Sequence, residues 1–198
     1  LFETTYPYWL WNTILISIAS TILSLATSVF AAYAIERLRF SGSRGVGNAI
    51  GTHFIALAGE INRKMPEFTV ENALRVLAEA GAPVRGAKVL VLGVAYKRDI
   101  PDYRESPAIE VIRGLRRLGA EVEYHDPHVP RFAEGGLAME SVPLSEERVR
   151  EKDLVLIATD HSAFDYKAIV AQARRVLDAR GATRHLPREL TEGKVVLL

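Results

Sequence analysis

Not one of the chain's 198 residues is cysteine. This stretch therefore supplies no disulfide, no thiolate metal ligand and no cysteine nucleophile. A bias toward one sign of charge is missing as well: 25 Lys+Arg against 24 Asp+Glu leave a formal net charge of +1. That balance excludes a strongly basic nucleic-acid binder and an acidic tail protein. Most telling, charge is almost missing from one end. Residues 1 to 35 carry a single charged side chain, Glu3, whereas both tryptophans, Trp9 and Trp11, lie there. The averages of a soluble globular protein thus conceal two unlike pieces.

From Thr4 to Ile35 runs an uncharged stretch of 32 residues. A bilayer core asks for about 20 mostly apolar helical residues, and Leu10 to Ala34 supplies them. Ser17, Ser20, Ser24 and Ser28 recur at helical spacing among small alanines, a composition that lets membrane helices approach closely. Tyr6, Tyr8, Trp9 and Trp11 form an aromatic belt at one end, and Arg37, Arg39 and Arg44 follow the other. The positive-inside rule then puts the N-terminus outside and residues 41–198 in the cytoplasm, the chain sitting in the inner membrane. A cleaved signal peptide would carry its basic residues first.

Residues 41 to 51, SGSRGVGNAIG, read as a Gly/Ser connector or fusion junction. Gly45 and Gly47 open no G-x-G-x-x-G pattern, so phosphate binding is not expected there. Residues 52 to 82 show apolar positions at helical period, with Pro66 expected to kink or restart the helix and Gly81 to end it.

From residue 86 the pattern alternates strand and helix. Strands are expected at 88–93, 120–127, 153–159, 175–180 and 194–198, with helices at 105–119 and near 165–174. Such alternation predicts an α/β fold, a Rossmann-like parallel sheet, preceded by a helical segment and one N-terminal transmembrane helix. Ligands of these sheets bind beyond the carboxyl ends of the strands, here Gly93 to Lys97, Asp126 to Pro130, Thr159 to His161 and Arg180. Asp126 sits where a dinucleotide-binding acid would hold ribose, yet the first turn reads GVAYKRD without the second and third glycines, so Asp126 is read as a turn former. His125, Asp126, His128, Asp160 and His161 invite a metal reading, but H-D-P-H is no standard zinc spacing and no cysteine supports it; no metal is expected.

Two resemblances add to this reading. The segment WLWNTILISIASTILSLATSVFAAYAIERLRFSGSR, with its W-x-x-N-T start and AAYAIERLRFSG exit, resembles the inner-membrane permease subunit of binding-protein-dependent sugar ABC transporters over residues 1 to about 48. The motifs KVLVLGVAYKRDIPDYRESPAIEVI, VEYHDPHVP, LIATDHSAFDY and VLDARGATR resemble the C-terminal domain of the UDP-glucose/GDP-mannose dehydrogenase family, leaning toward its UDP-N-acetylhexosamine members. FIALAGEINRKMPEFTVENAL resembles the end of that family's central dimerisation domain, so that the second resemblance spans about residues 52–198 and the chain reads as a chimera.

The second resemblance implies a UDP-sugar-binding Rossmann-like domain over residues 83–198, from an enzyme that oxidises the C6 alcohol of a nucleotide sugar to a carboxylate with NAD and works as a cytoplasmic homodimer. By motif it implies Lys97 on the substrate, Arg180 on the uridine diphosphate and Arg104 reaching NAD held by a neighbouring subunit. A diphosphate needs positive charge, and a lysine point charge with an arginine fork provides it. Arg180 stands in DARGAT, a departure from the family's D-T-R-N or D-G-R. Without the family pattern, Lys97–Arg98 reads as a solvated loop and Arg104–Glu105 as a surface ion pair. The family's NAD-binding domain and cysteine loop have no counterpart in these residues, so no catalytic residue is assigned. The expectation is a truncated dehydrogenase, inactive alone; the alternatives are a membrane-tethered nucleotide-sugar-binding module and a permease fragment.

Overall fold

The computed structural model describes residues 6–37 and 43–198, with side chains described for Trp9, residues 11–30, Tyr33 and residues 56–198. It divides into two units, Leu1–Glu60 and Ile61–Leu198.

The first unit holds helix α1, Tyr6–Arg37. Within it Trp11–Phe30, 20 residues of mean hydropathy 1.9, is long and apolar enough to cross a membrane. Its isoleucines and leucines stand exposed. Its threonines satisfy themselves: Thr13, Thr21 and Thr27 each donate to the carbonyl four residues back, at 2.9, 2.8 and 3.0 Å. A hydroxyl closed onto its own helix needs no outside partner, which is what a hydrocarbon environment demands of a threonine.

Helix α2 spans Ser43–Glu79 and runs through Pro66. Residues 43–51 of the expected connector at 41–51 are therefore helical, and the helix does not restart at Pro66. Glycine costs about 1 kcal/mol per position in a helix, a weak preference that context overrides. Val46, Ile50 and Phe54 fall at i, i+4 and i+8, a helical spacing the glycine count obscures. Beyond Pro66, the Thr69 hydroxyl and the Asn72 amide donate back to the Met65 and Phe68 carbonyls at 2.9 and 2.8 Å. Positions 38–42, which include the start of the expected connector, lie outside the described residues.

The second unit is an α/β domain built on strands β1 (Lys88–Leu92), β2 (Glu121–His125), β5 (Leu154–Ile157), β6 (Val176–Asp178) and β7 (Val195–Leu197), with a hairpin of β3 (Arg131–Glu134) and β4 (Leu137–Glu140). The five strands form one sheet in the order β2-β1-β5-β6-β7, all parallel. Apolar side chains alternate across it. Val89, Val91, Leu154, Leu156 and Leu177 face a core shared with α2 and with α3, Pro107–Arg117. Leu90, Leu92, Val155, Ile157 and Val176 face a second core with α4, Glu146–Arg150, and α5, Tyr166–Gln172. Both faces are buried, as in sheets whose crossovers are helices, and each large side chain so buried contributes about 1.5–3 kcal/mol of transfer free energy.

Helix α3 is capped by Ser106, whose hydroxyl accepts from the Ala108 N–H at 3.4 Å, and begins with Pro107 at its first position. Ile109, Ile112 and Leu115, at helical spacing, are buried; Leu118 caps the helix and is exposed. A short helix α6, Arg188–Thr191, precedes β7. The hairpin was not anticipated. Its turn is Gly135-Gly136, both at positive φ (54° and 78°), the geometry a two-residue connection favours.

Candidate functional site

The sheet changes direction between β1 and β5: the chain first adds β2 on one side of β1, then β5 on the other. At that switch point, beyond the carboxyl ends of β1, β5 and β6, a cleft of about 740 Å³ opens, where open α/β sheets bind their ligands. Ala95, Tyr96 and Lys97 line it from the loop after β1, Thr159 from that after β5, and Arg180 from that after β6. Asn62 and Arg63 of α2 and the start of α3 at Ser106 and Pro107 complete the walls.

Two of the three basic residues singled out from sequence meet here. Lys97 is exposed, and its ammonium has no carboxylate partner among the described residues. Arg180 is held by the turn that bears it. Asp178, fully buried, accepts from the Arg180 N–H at 2.9 Å with one oxygen and from the Thr183 N–H and hydroxyl at 2.8 and 2.6 Å with the other. Among the described residues, the Arg180 side chain donates through Nε alone, to Asp160 at 3.4 Å.

Arg104 is not brought to this cleft. It forks onto Asp102, Nε and Nη2 donating at 2.9 and 2.8 Å. The expected surface pair is there, but with Asp102 in place of Glu105. Hydrogen bonding to Arg104 holds the Asp102 carboxyl down to about 2. Glu105 takes a positive φ of 60° and lines the cleft itself.

The residues read as loop formers do more than the sequence revealed. Asp126 is buried and accepts five hydrogen bonds. Oδ2 takes the N–H groups of Val94 and Ala95 at 2.7 and 2.9 Å and His161 Nε2 at 3.0 Å; Oδ1 takes those of His128 and Val129 at 2.8 and 3.0 Å. Burial by itself pushes this carboxyl up, but the backbone N–H groups and the neighbouring His161 outweigh it and hold it below the ordinary 3.8. His161, fully buried, accepts the Asp99 N–H on Nδ1 at 2.9 Å, which leaves Nε2 as the nitrogen that donates to Asp126. Asp99, at φ 58°, accepts from the Ser162 N–H and hydroxyl at 2.9 and 2.7 Å, which lowers its pKa. The Thr159 hydroxyl donates to the Ala95 carbonyl at 2.6 Å. Three loops are thereby stitched into one rigid floor.

Asp99, His128 and His161 place donor atoms within 4.8 Å of one another. The Nδ1 lone pair of His161 is spent on a backbone N–H, its Nε2 proton on Asp126, and both Asp99 oxygens on Ser162. His161 is thereby engaged on both nitrogens, whereas His128 Nε2, buried, has no hydrogen-bond partner among the described residues; the bonds that are made hold the loop. The same bonds dispose of ribose binding at Asp126, since every lone pair facing the loop is occupied. A dinucleotide fits poorly for a second reason: the turn after Gly93 presents Ala95 and Tyr96 where a pyrophosphate would need glycine.

Fold and cleft thus define a parallel, Rossmann-like α/β domain with a cleft at its switch point. Residues 90–185 match the model of the UDP-glucose/GDP-mannose dehydrogenase family, UDP binding domain. The chain is 34% identical over 113 residues to a UDP-N-acetyl-D-mannosamine dehydrogenase of Methanococcus maripaludis, covering 56% of this chain and 24% of the relative. It is 30% identical over 114 residues to a UDP-N-acetyl-D-glucosamine 6-dehydrogenase of Salmonella typhi, covering 56% and 26%. The crystal structure of an NDP-N-acetyl-D-galactosaminuronic acid dehydrogenase from Methanosarcina mazei superimposes with a TM-score of 0.59 at 29% identity, over 72% of this chain and 30% of that one. The chain therefore spans about a quarter of the length of these curated relatives. The permease resemblance of residues 1 to about 48 gains no support from these matches.

Proposed function

We propose that the second unit binds a nucleoside-diphosphate sugar, as the C-terminal domain of a nucleotide-sugar 6-dehydrogenase, with Lys97 and Arg180 on the diphosphate side. The observation that carries this is the convergence of a lysine with no carboxylate partner among the described residues and a half-paired arginine, from loops 83 residues apart in sequence, on one cleft at the switch point of the sheet. Arg104, exposed and outside the cleft wall, is left to NAD held by a neighbouring subunit, as the resemblance implies, while Asp126 has no free acceptor for a ribose. With no cysteine in these residues, binding is the activity proposed for this stretch, and oxidation is not. Calorimetric titration of the full 198-residue chain in detergent should show UDP and UDP-N-acetylglucosamine binding. Lys97→Ala and Arg180→Ala should each weaken it about tenfold or more, the worth of one charge-assisted hydrogen bond. No heat with millimolar wild type and ligand refutes the reading.

A second reading concerns α1. Its exposed apolar span and the arginines that follow it support anchoring in a bilayer with the α/β unit on the cytoplasmic side. Membranes from expressing cells, washed with alkaline carbonate, should retain the chain; quantitative release into the wash would remove this anchor.

A further inference from the structure

Asp160 stands between Arg98 and Arg180 without lining the cleft. One carboxylate oxygen meets Arg98, on the loop that carries Lys97; the other accepts from Arg180 Nε at 3.4 Å. Its side chain is 14% exposed, whereas those of Arg98 and Arg180 are 58% and 48% exposed. Burial pushes the Asp160 carboxyl up, but Arg98 and then Arg180 outweigh it and keep it ionised. So a nearly buried anion on the β5 loop grips two flexible, solvated side chains, one from the β1 loop and one from the β6 loop.

Such a contact adds little to folding, because exposed arginine pairs are worth about 0–1 kcal/mol. Its consequence lies elsewhere. Arginine carries much rotamer entropy, and a guanidinium held by Nε alone keeps both terminal nitrogens to fork onto a phosphate or a planar base edge. Arg98 also competes for the same carboxylate, which keeps Asp160 from fully neutralising Arg180.

We propose that Asp160 is a positioning residue for the nucleotide: it orients Arg180 and ties the Lys97 loop to the Arg180 loop before ligand arrives. The inference rests on the nucleotide-binding reading above. It makes a prediction of unusual sign. Asp160→Asn removes a negative charge beside a site for an anion, so charge alone demands tighter binding. Positioning demands weaker binding, by about tenfold, the cost of ordering two rotamer-rich side chains upon association. In an Arg180→Ala background the same substitution should cost less than about twofold, because the side chain it positions is gone.

The experiment is calorimetric titration of the full chain with UDP for wild type, D160N, R180A and the double variant, with thermal melting as the control for folding. Weaker binding by D160N that shrinks in the R180A background supports the proposal. Equal or tighter binding by D160N overturns it, and so does a loss of the same size in both backgrounds. Wild type that fails to bind UDP removes the nucleotide reading itself, an outcome distinct from either variant result.

Discussion

Replacing Asp126 with alanine is expected to cost the α/β unit at least about 4 kcal/mol, enough to unfold a domain of ordinary stability. The reason is the number of donors that depend on it. The N–H groups of Val94, Ala95, His128 and Val129 and the Nε2–H of His161 all end on its two oxygens. Alanine leaves every one without an acceptor, and each buried donor so stranded costs about 1–3 kcal/mol before water enters to recover part of it. Asp126→Asn should be milder but still damaging, since the amide nitrogen turns a donor toward donors. Both tryptophans lie in α1, so fluorescence is blind to this unit. Urea unfolding followed by near-ultraviolet circular dichroism reads it through Tyr124, buried and donating to the Val129 carbonyl at 3.1 Å within the same loop. A loss below about 1 kcal/mol would show that water, rather than Asp126, satisfies the loop.

The strand KVLVL, the helix from Pro107 and the parallel order were legible because burial on both faces writes continuous apolar runs and helix α3 writes a 3.6-residue period. Lys97 and Arg180, which line the cleft, are singled out only by motifs that resemble a known family. Asp126 was seen as a turn former but not as the hub of three loops. Asp99 and Ser162 lie 63 residues apart, and Asp160 lies 62 from Arg98 and 20 from Arg180. Such pairings leave no local pattern, because nothing in a period or a cap encodes which loops meet beyond a sheet. Two local signals were present and passed over: Gly135-Gly136 between short alternating runs marks the hairpin, and the spacing of Val46, Ile50 and Phe54 marks helix where glycine content argued for a connector.

Gly93 leads to the second large effect, one that joins stability to the site. It ends β1 at φ +80°, and its N–H donates to the His125 carbonyl at 2.9 Å. A Cβ placed there would stand 2.5 Å from the Thr159 carbonyl oxygen and 2.6 Å from the Thr159 Cβ. Gly93→Ala therefore imposes two penalties. The left-handed backbone costs about 1–2 kcal/mol for any L-residue, and the contact forces backbone of the β5 loop aside, an overpacking cost of about 1–3 kcal/mol more. The expected loss is at least about 3 kcal/mol in urea unfolding. Gly81→Ala separates the two penalties, because Gly81 has φ +71° with nothing within 4 Å of the added atom; it should cost about 1–2 kcal/mol, the backbone share alone. The remainder for Gly93 measures how closely β1 and β5 must approach. Thr159 is both the residue in the way and part of the cleft floor, and its hydroxyl holds the Ala95 carbonyl. Any Gly93→Ala protein that still folds should therefore bind UDP more weakly than wild type, whereas Gly81→Ala should bind it equally well. Equal stability of the two variants would mean that the β5 loop yields without strain, and the rigid floor assigned to the cleft would have to be given up.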